Sequence, residues 1–199
     1  KNIKKIFTSF YRYTNYKIHD KIVNSIFFNL KNEIGIEDKE YDIILCCSNL
    51  LRPEKNNLFI LEILKNNFHN QKKIIIGNES HIFSSIQNTE CFNLLTNNEV
   101  LKYFKKSKIL LFPSLNDSNP STIVEAFENK CLPIISNFVG THELFPDILL
   151  CNSLEKKEWI NKISYILNNY ENIFNSINFN LNFKNDNIHI LDYIDSLFN

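Results

Sequence analysis

From residue 42 onward the chain alternates between short unbroken apolar runs and longer segments whose apolar residues recur every three or four positions. DIILCCS (42–48), KKIIIG (72–77), KILLFPS (108–114) and CLPIIS (131–136) have the length and composition of buried strands, and DILLC (147–151) reads as a last short one. A further apolar run, CFNLL, covers 91–95. Helical spacing appears in EKNNLFILEILKNNF (54–68), TNNEVLKYFKKS (96–107, with Thr96 or Asn97 as cap), PSTIVEAFENK (120–130) and LEKKEWINKISYILNNY (154–170). Strands that are apolar throughout and alternate with helices predict an α/β domain, with a doubly wound, Rossmann-like parallel sheet covered by helices on both faces.

The ends of the chain fit this rhythm less well. KKIFTSF and DKIVNSIFF have strand-like composition, and KNEIGIEDKEY is a polar link between them and the sheet. The tail, 171–199, is rich in Asn, but IHILDYIDSLF (188–198) has helical spacing. No internal repeat is visible.

Composition narrows the functional classes. A chain of 199 residues with 44% hydrophobic content supports one core, or one domain and part of another. The formal net charge is zero, so no general electrostatic attraction to nucleic acid or a membrane is expected. The three glycines are few enough that each is expected to mark a required backbone geometry. Five cysteines without C-x-x-C or zinc-type spacing read as buried thiols of a cytoplasmic protein. No apolar run reaches the ~18 residues of a membrane span, and KNIKKIFTSFYRY lacks a signal-peptide core. Peripheral membrane contact stays open.

Candidate chemistry concentrates in PSLNDSNPSTIVEAF, residues 113–127. In an open parallel sheet ligands bind beyond the carboxyl ends of the strands, and the residues after KILLFPS lie there. Asn119 suits an N-cap and Pro120 the first helical position, which predicts free amides at Ser121, Thr122 and Ile123 aimed at an anion. At about 100° per residue, Ser121, Thr122 and Glu125 share one face, while Ile123, Ala126 and Phe127 share the core face. Asp117 would then stand on one side of the anion and Glu125 on the other. That arrangement brackets a ligand with hydroxyls at both ends and phosphate between, as in a nucleotide sugar. The same residues also suit an ordinary capped helix with a solvated Glu. His142 lies on a rim loop, and His19, His69, His81 and His189 have no partner spacing, so no metal site is expected. No Ser/His/Asp nucleophile arrangement is visible.

FPSLNDSNPSTIVEAFENKCLPIISNFVGTHEL resembles the C-terminal signature of the family 4 glycosyltransferases of the GT-B fold, which are retaining enzymes. That signature is a strand ending in Pro-Ser, two Glu separated by seven residues, Glu-Ala, a Pro-led strand and a Gly-containing loop before another Glu. Here Asp117 stands at the first Glu and Glu125 at the second, with Ala126, Pro133, Gly140 and Glu143 in register. ILCCSNLLRPEKN, KKIIIG and NNEVLKYFKKSKILLFPS resemble the elements that precede it, so the likeness runs over roughly residues 42–168.

The resemblance implies a role for each matching residue. Glu125 binds the ribose, Asp117 approaches the hexose, and Ser118, Asn119, Pro120, Ser121 and Thr122 form the phosphate and sugar turn. Lys55 and Arg52 belong to the basic loop that holds the diphosphate, with Ser48, Asn49 and Gly140 on the surrounding rim. The chain departs from the family in three places: its usual Gly-Arg is here Ser48-Asn49, so that the Arg role is either lost or taken by Arg52, its first acid is here Asp117, and its Gly-rich turn is here Ser118-Asn119-Pro120. No cofactor is implied, and the absence of an Asp-x-Asp motif fits metal-independent transfer. The expected partners are a nucleoside diphosphate sugar and a glycan, lipid or protein acceptor, not nucleic acid.

The whole reaction needs two such domains, and the chain is too short for both. Residues 1–40 are expected to be the end of a preceding N-terminal domain and its connection, 41–170 the nucleotide-sugar-binding domain, and 171–199 a tail with a terminal helix. Such a donor half would bind its ligand without transferring sugar. Two other functions suit the same features: a non-catalytic nucleotide-sugar-binding or assembly domain, and a GT-B-fold sugar-nucleotide epimerase.

Overall fold

The computed structural model describes residues 39–117, 120–140, 142, 145–152 and 154–177. The expected strands before residue 39 and the helix at 188–198 lie outside the described residues. Six parallel strands form one sheet: β1 (Tyr41–Asn49), β2 (Lys73–Asn78), β3 (Thr89–Phe92), β4 (Ser107–Phe112), β5 (Leu132–Ser136) and β6 (Leu150–Cys151), in the order β3-β2-β1-β4-β5-β6. The chain thus builds outward from β1 through β2 to β3, returns to the other side of β1, and builds outward again. β1 and β4 are neighbours whose connections leave in opposite directions, which is where doubly wound sheets open a crevice.

The helices are α1 (Asn57–Asn67), α2 (Asn97–Lys106), α3 (Ser121–Glu128), α4 (Lys156–Asn168) and α5 (Tyr170–Ser176). The central strands are buried on both faces: Ile43, Ile44, Leu45, Ile74, Ile75, Ile109, Leu110 and Leu111 are all nearly inaccessible. Helix stripes complete the core with Ile60 and Leu64, Phe104, Ile123 and Ala126, and Trp159, Ile163 and Ile166. Pro133 is tolerated within β5 because β6 begins to pair only at Ile135.

Boundaries depart from the sequence pattern where a local geometry intervenes. The helix expected from residue 54 is interrupted: Pro53–Lys55 form one 3-10 turn, Asn56 takes a left-handed conformation (φ 53°), and α1 starts after it. Thr96 caps α2 in a capping box with Glu99, its amide donating to Glu99 Oε2 at 2.8 Å. The run 147–151 is a 3-10 turn over Asp147–Leu149 followed by the two-residue β6. The long helix expected to reach residue 170 ends at Asn168, and α5 follows with Tyr170 and Ile173 buried.

Candidate active site

The candidate residues lie at the carboxyl ends of β1 and β4. β1 ends in a bulge: Cys46 pairs with Ile76 and Asn49 with Asn78, so one extra residue of β1 sits between these positions. Gly77 makes the bulge possible. Its φ is +145°, and a Cβ there would lie 1.8 Å from the Cys47 carbonyl oxygen. Ser48 and Asn49 are lifted onto the exposed rim. Asn49 Oδ1 accepts the Leu51 amide at 3.0 Å, and buried Leu50 anchors the loop, its carbonyl accepting Asn57 Nδ2 at 3.1 Å.

The 3-10 turn that follows divides the two expected cations. Arg52 is exposed and paired with Glu54 in its own turn. Lys55 points the other way, into the crevice, where its ammonium forms an ion pair with Asp117 Oδ2. The side chains of that pair are only 17% and 19% exposed, and Lys55 Nζ sits 5.4 Å from the centroid of the Phe112 ring. The structure therefore brings Lys55 and Asp117 into contact and leaves Arg52 engaged elsewhere.

Asp117 is fixed through its backbone. It bridges Val139, and its carbonyl accepts the Gly140 amide at 2.7 Å. His142 folds back on the same loop, its amide and Nδ1 donating to the Val139 carbonyl at 3.0 and 2.7 Å. Ser118, Asn119, Thr141 and Glu143 lie outside the described residues.

The start of α3 differs from expectation by one position. Pro120 is the N-cap residue (φ −77°, ψ 112°) rather than the first helical residue, and the helix begins at Ser121. The Ile123 amide donates to the Pro120 carbonyl at 3.3 Å, so it is not among the free donors. The amides of Ser121 and Thr122 have no backbone acceptor among the described residues. The faces are as the spacing predicts: Ile123, Ala126 and Phe127 are buried, Ser121 is exposed, and Thr122 and Glu125 are half-buried.

Among the described residues the Glu125 carboxylate has no hydrogen bond or ion pair. It lies close enough to β1 for its charge to act on Cys46. Burial pushes the Cys46 thiol up to about 12, with smaller contributions from Cys47 and Glu125. A thiol held protonated is no nucleophile at neutral pH. Among the described residues the rim thus carries the Lys55–Asp117 pair, the helix-start amides of Ser121 and Thr122, and the Glu125 carboxylate without a hydrogen bond or ion pair. It can neutralise an anion and accept hydrogen bonds from hydroxyls.

Two contributors escaped the sequence reading. Ser114 and Ser136 stand at the carboxyl ends of the sheet with buried hydroxyls, and both bond to the rim loops. The one signal was a polar residue directly after a buried apolar run.

The doubly wound parallel sheet matches the Rossmann-like fold of GT-B glycosyltransferases. The family model of the group 1 glycosyl transferases matches residues 29–177, and the chain belongs to that family. It is 32% identical over 141 residues to the capsular polysaccharide biosynthesis glycosyltransferase CapH of Staphylococcus aureus, covering 62% of this chain and 40% of CapH. Among solved structures it resembles the sucrose-phosphate synthase of Thermosynechococcus elongatus, with a TM-score of 0.70 and 14% identity over 97% of this chain and 58% of that one. The catalytic domain of cholesterol-alpha-glucosyltransferase from Helicobacter pylori aligns with a TM-score of 0.56 and 16% identity, covering 67% of this chain and 91% of that domain. The chain thus spans less than two thirds of CapH and of the synthase, and most of the isolated domain.

Proposed function

We propose that this chain is the C-terminal donor-binding domain of a retaining, family 4 hexosyltransferase that works in the cytoplasm. The observation that supports this reading is the Lys55–Asp117 ion pair between the connections that follow β1 and β4, with α3 starting just beyond Asp117 in the chain. Lys55 and the amides of Ser121 and Thr122 hold the diphosphate of a nucleotide sugar. They neutralise the charge that grows on it as the glycosidic bond breaks. Glu125 accepts hydrogen bonds from the ribose hydroxyls, and Asp117 from the hexose. Arg52 and the Ser48–Asn49 rim border the diphosphate, and Gly140 borders the sugar. The acceptor, a glycan, lipid or protein hydroxyl, is oriented by a preceding N-terminal domain of which residues 1–40 are the end. The link of CapH to capsular polysaccharide supports a glycan acceptor. Free thiols at all five cysteines fit a reducing compartment.

The assignment of roles is tested by calorimetric titration of Glu125→Ala and Asp117→Ala with UDP, GDP and ADP and their glucose conjugates. Glu125→Ala should weaken the nucleoside diphosphate and its conjugate alike, by at least about fivefold. Asp117→Ala should weaken only the conjugate, because removing Asp117 leaves the Lys55 ammonium available to the diphosphate. Equal losses for both ligands in both variants would contradict the orientation.

A further inference from the structure

The β1–β4 ladder pairs its last residues at Ile44 and Leu110, although both strands continue. Beyond that point the two strands part, and the crevice opens between them. Among the described residues, three contacts cross it again between the loops. The Leu115 amide and the Ser114 hydroxyl both donate to the Glu54 carbonyl, at 2.7 and 3.0 Å, and Lys55 pairs with Asp117. The carbonyl of Ser114 is itself bound by the Ser136 hydroxyl, and Ser136 Oγ accepts the Phe138 amide at 3.3 Å. The residues 54, 114, 136 and 138 therefore form one continuous chain of hydrogen bonds. It runs through the connections that follow β1, β4 and β5.

We infer that Ser114 and Ser136 are positioning residues of the donor site, setting the height of Lys55 against Asp117 and the α3 start. Their hydroxyls are nearly inaccessible, at 1% and 0% relative exposure, so they touch no ligand directly. An alanine would fill the same space without the cost of burying a hydroxyl. What the hydroxyls add is direction. Two donors on the Glu54 carbonyl fix the peptide plane between Glu54 and Lys55, and so the direction in which the Lys55 side chain leaves the turn. Ser136 fixes the next peptide plane, between Ser114 and Leu115, which presents the Leu115 amide to Glu54. A cation placed before the ligand arrives need not be ordered on binding, which is where preorganisation raises affinity.

The effect on ligand binding rests on the donor-site reading above, whereas the fixing of the loop does not, and the experiment separates the two. The 199-residue chain is titrated with UDP, GDP and ADP and with the matching nucleosides. For the nucleoside diphosphate that binds tightest, Ser114→Ala should weaken affinity about fivefold while the nucleoside changes less than about twofold. In a Lys55→Ala background the same substitution should cost less than about twofold, because the group it positions is gone. Equal losses for nucleoside and diphosphate, or an undiminished loss without Lys55, would overturn the inference.

Amide exchange supplies the independent reading. Ser114→Ala should speed exchange at Leu115 at least about tenfold and leave Leu110, inside β4, unchanged. Ser136→Ala should do the same at Phe138, and it decides the matter if Ser114→Ala does not fold. Unchanged exchange at Leu115 and Phe138, or acceleration that extends to Leu110, overturns the positioning role. If the unsubstituted chain binds none of the three nucleotides, the donor-site reading fails and exchange alone decides the role of the serines.

Discussion

At the amino rim of the sheet, charged side chains are matched to one another. Asp42 holds Lys108 at 2.8 Å and the Lys72 amide at 3.0 Å, Glu40 holds Lys106 at 2.8 Å, and Tyr41 donates to Glu90 at 3.1 Å. Lys73, almost wholly buried, gives its ammonium to the carbonyls of Phe68 and Gln71, both at 2.6 Å, and burial holds its pKa below the usual lysine range. At the carboxyl rim Lys55 pairs with Asp117 and Arg52 with Glu54, and further ties run between loops through the carbonyls of Glu54, Ser114 and Asp117. There, among the described residues, the Glu125 carboxylate has no hydrogen bond or ion pair and the amides of Ser121 and Thr122 have no backbone acceptor. An open cavity of about 490 Å³ lies at the amino rim, lined by Tyr41, Lys73, Ser84 and Glu90 among others. Space alone therefore does not mark the site. Unmatched polar groups held by a fixed frame do, because a ligand can still satisfy them.

This contrast predicts that substitutions at the two rims separate stability from binding. The largest effect is expected from Gly77→Ala. Its Cβ would meet the Cys47 carbonyl at 1.8 Å in a backbone conformation that disfavours any side chain. Displacing the β1 bulge should cost about 3 kcal/mol, lowering Tm by about 6–12 °C, and should weaken nucleotide binding as well, since Lys55 follows that bulge. A Tm within about 2 °C of the parent would show that the bulge relaxes freely and does not set the rim. The smallest effect belongs to the amino rim. Lys108→Ala removes a half-exposed ion pair worth about 0.2–1 kcal/mol and should leave nucleotide affinity unchanged. A change in affinity from that variant would break the contrast, because Lys108 lies at the opposite end of β4 from the proposed site.

Much of the frame was legible in the sequence because it depends on local pattern. Unbroken Ile- and Leu-rich runs located β1, β2, β4 and β5, and Thr96 followed by Glu99 marked the start of α2. The α3 start was displaced by one residue: composition favours Asn119 as the cap and Pro120 as the first helical residue, whereas Pro120 is the cap and the helix begins at Ser121. α5 was missed as a separate helix because the break at Asn169 carries no strong signal beyond a pair of asparagines. The serine links were illegible for another reason. Ser114 reaches a carbonyl sixty residues away and Ser136 one twenty-two residues away, so only the folded register brings them together. Asp117 was assigned to the site by spacing and Lys55 by resemblance, but their direct pairing across 62 residues appears only in the structure.

The account rests on Lys55 as the cation that meets the diphosphate, and calorimetric titration of the parent and Lys55→Ala with UDP, GDP and ADP tests it most directly. Charge-assisted hydrogen bonds are each worth about 1.5–3 kcal/mol, so the account predicts at least a tenfold loss for Lys55→Ala and a smaller one for Arg52→Ala, whose guanidinium is held by Glu54. Affinity that is unchanged by Lys55→Ala, with the parent binding a nucleoside diphosphate, would contradict it and move the site away from this crevice.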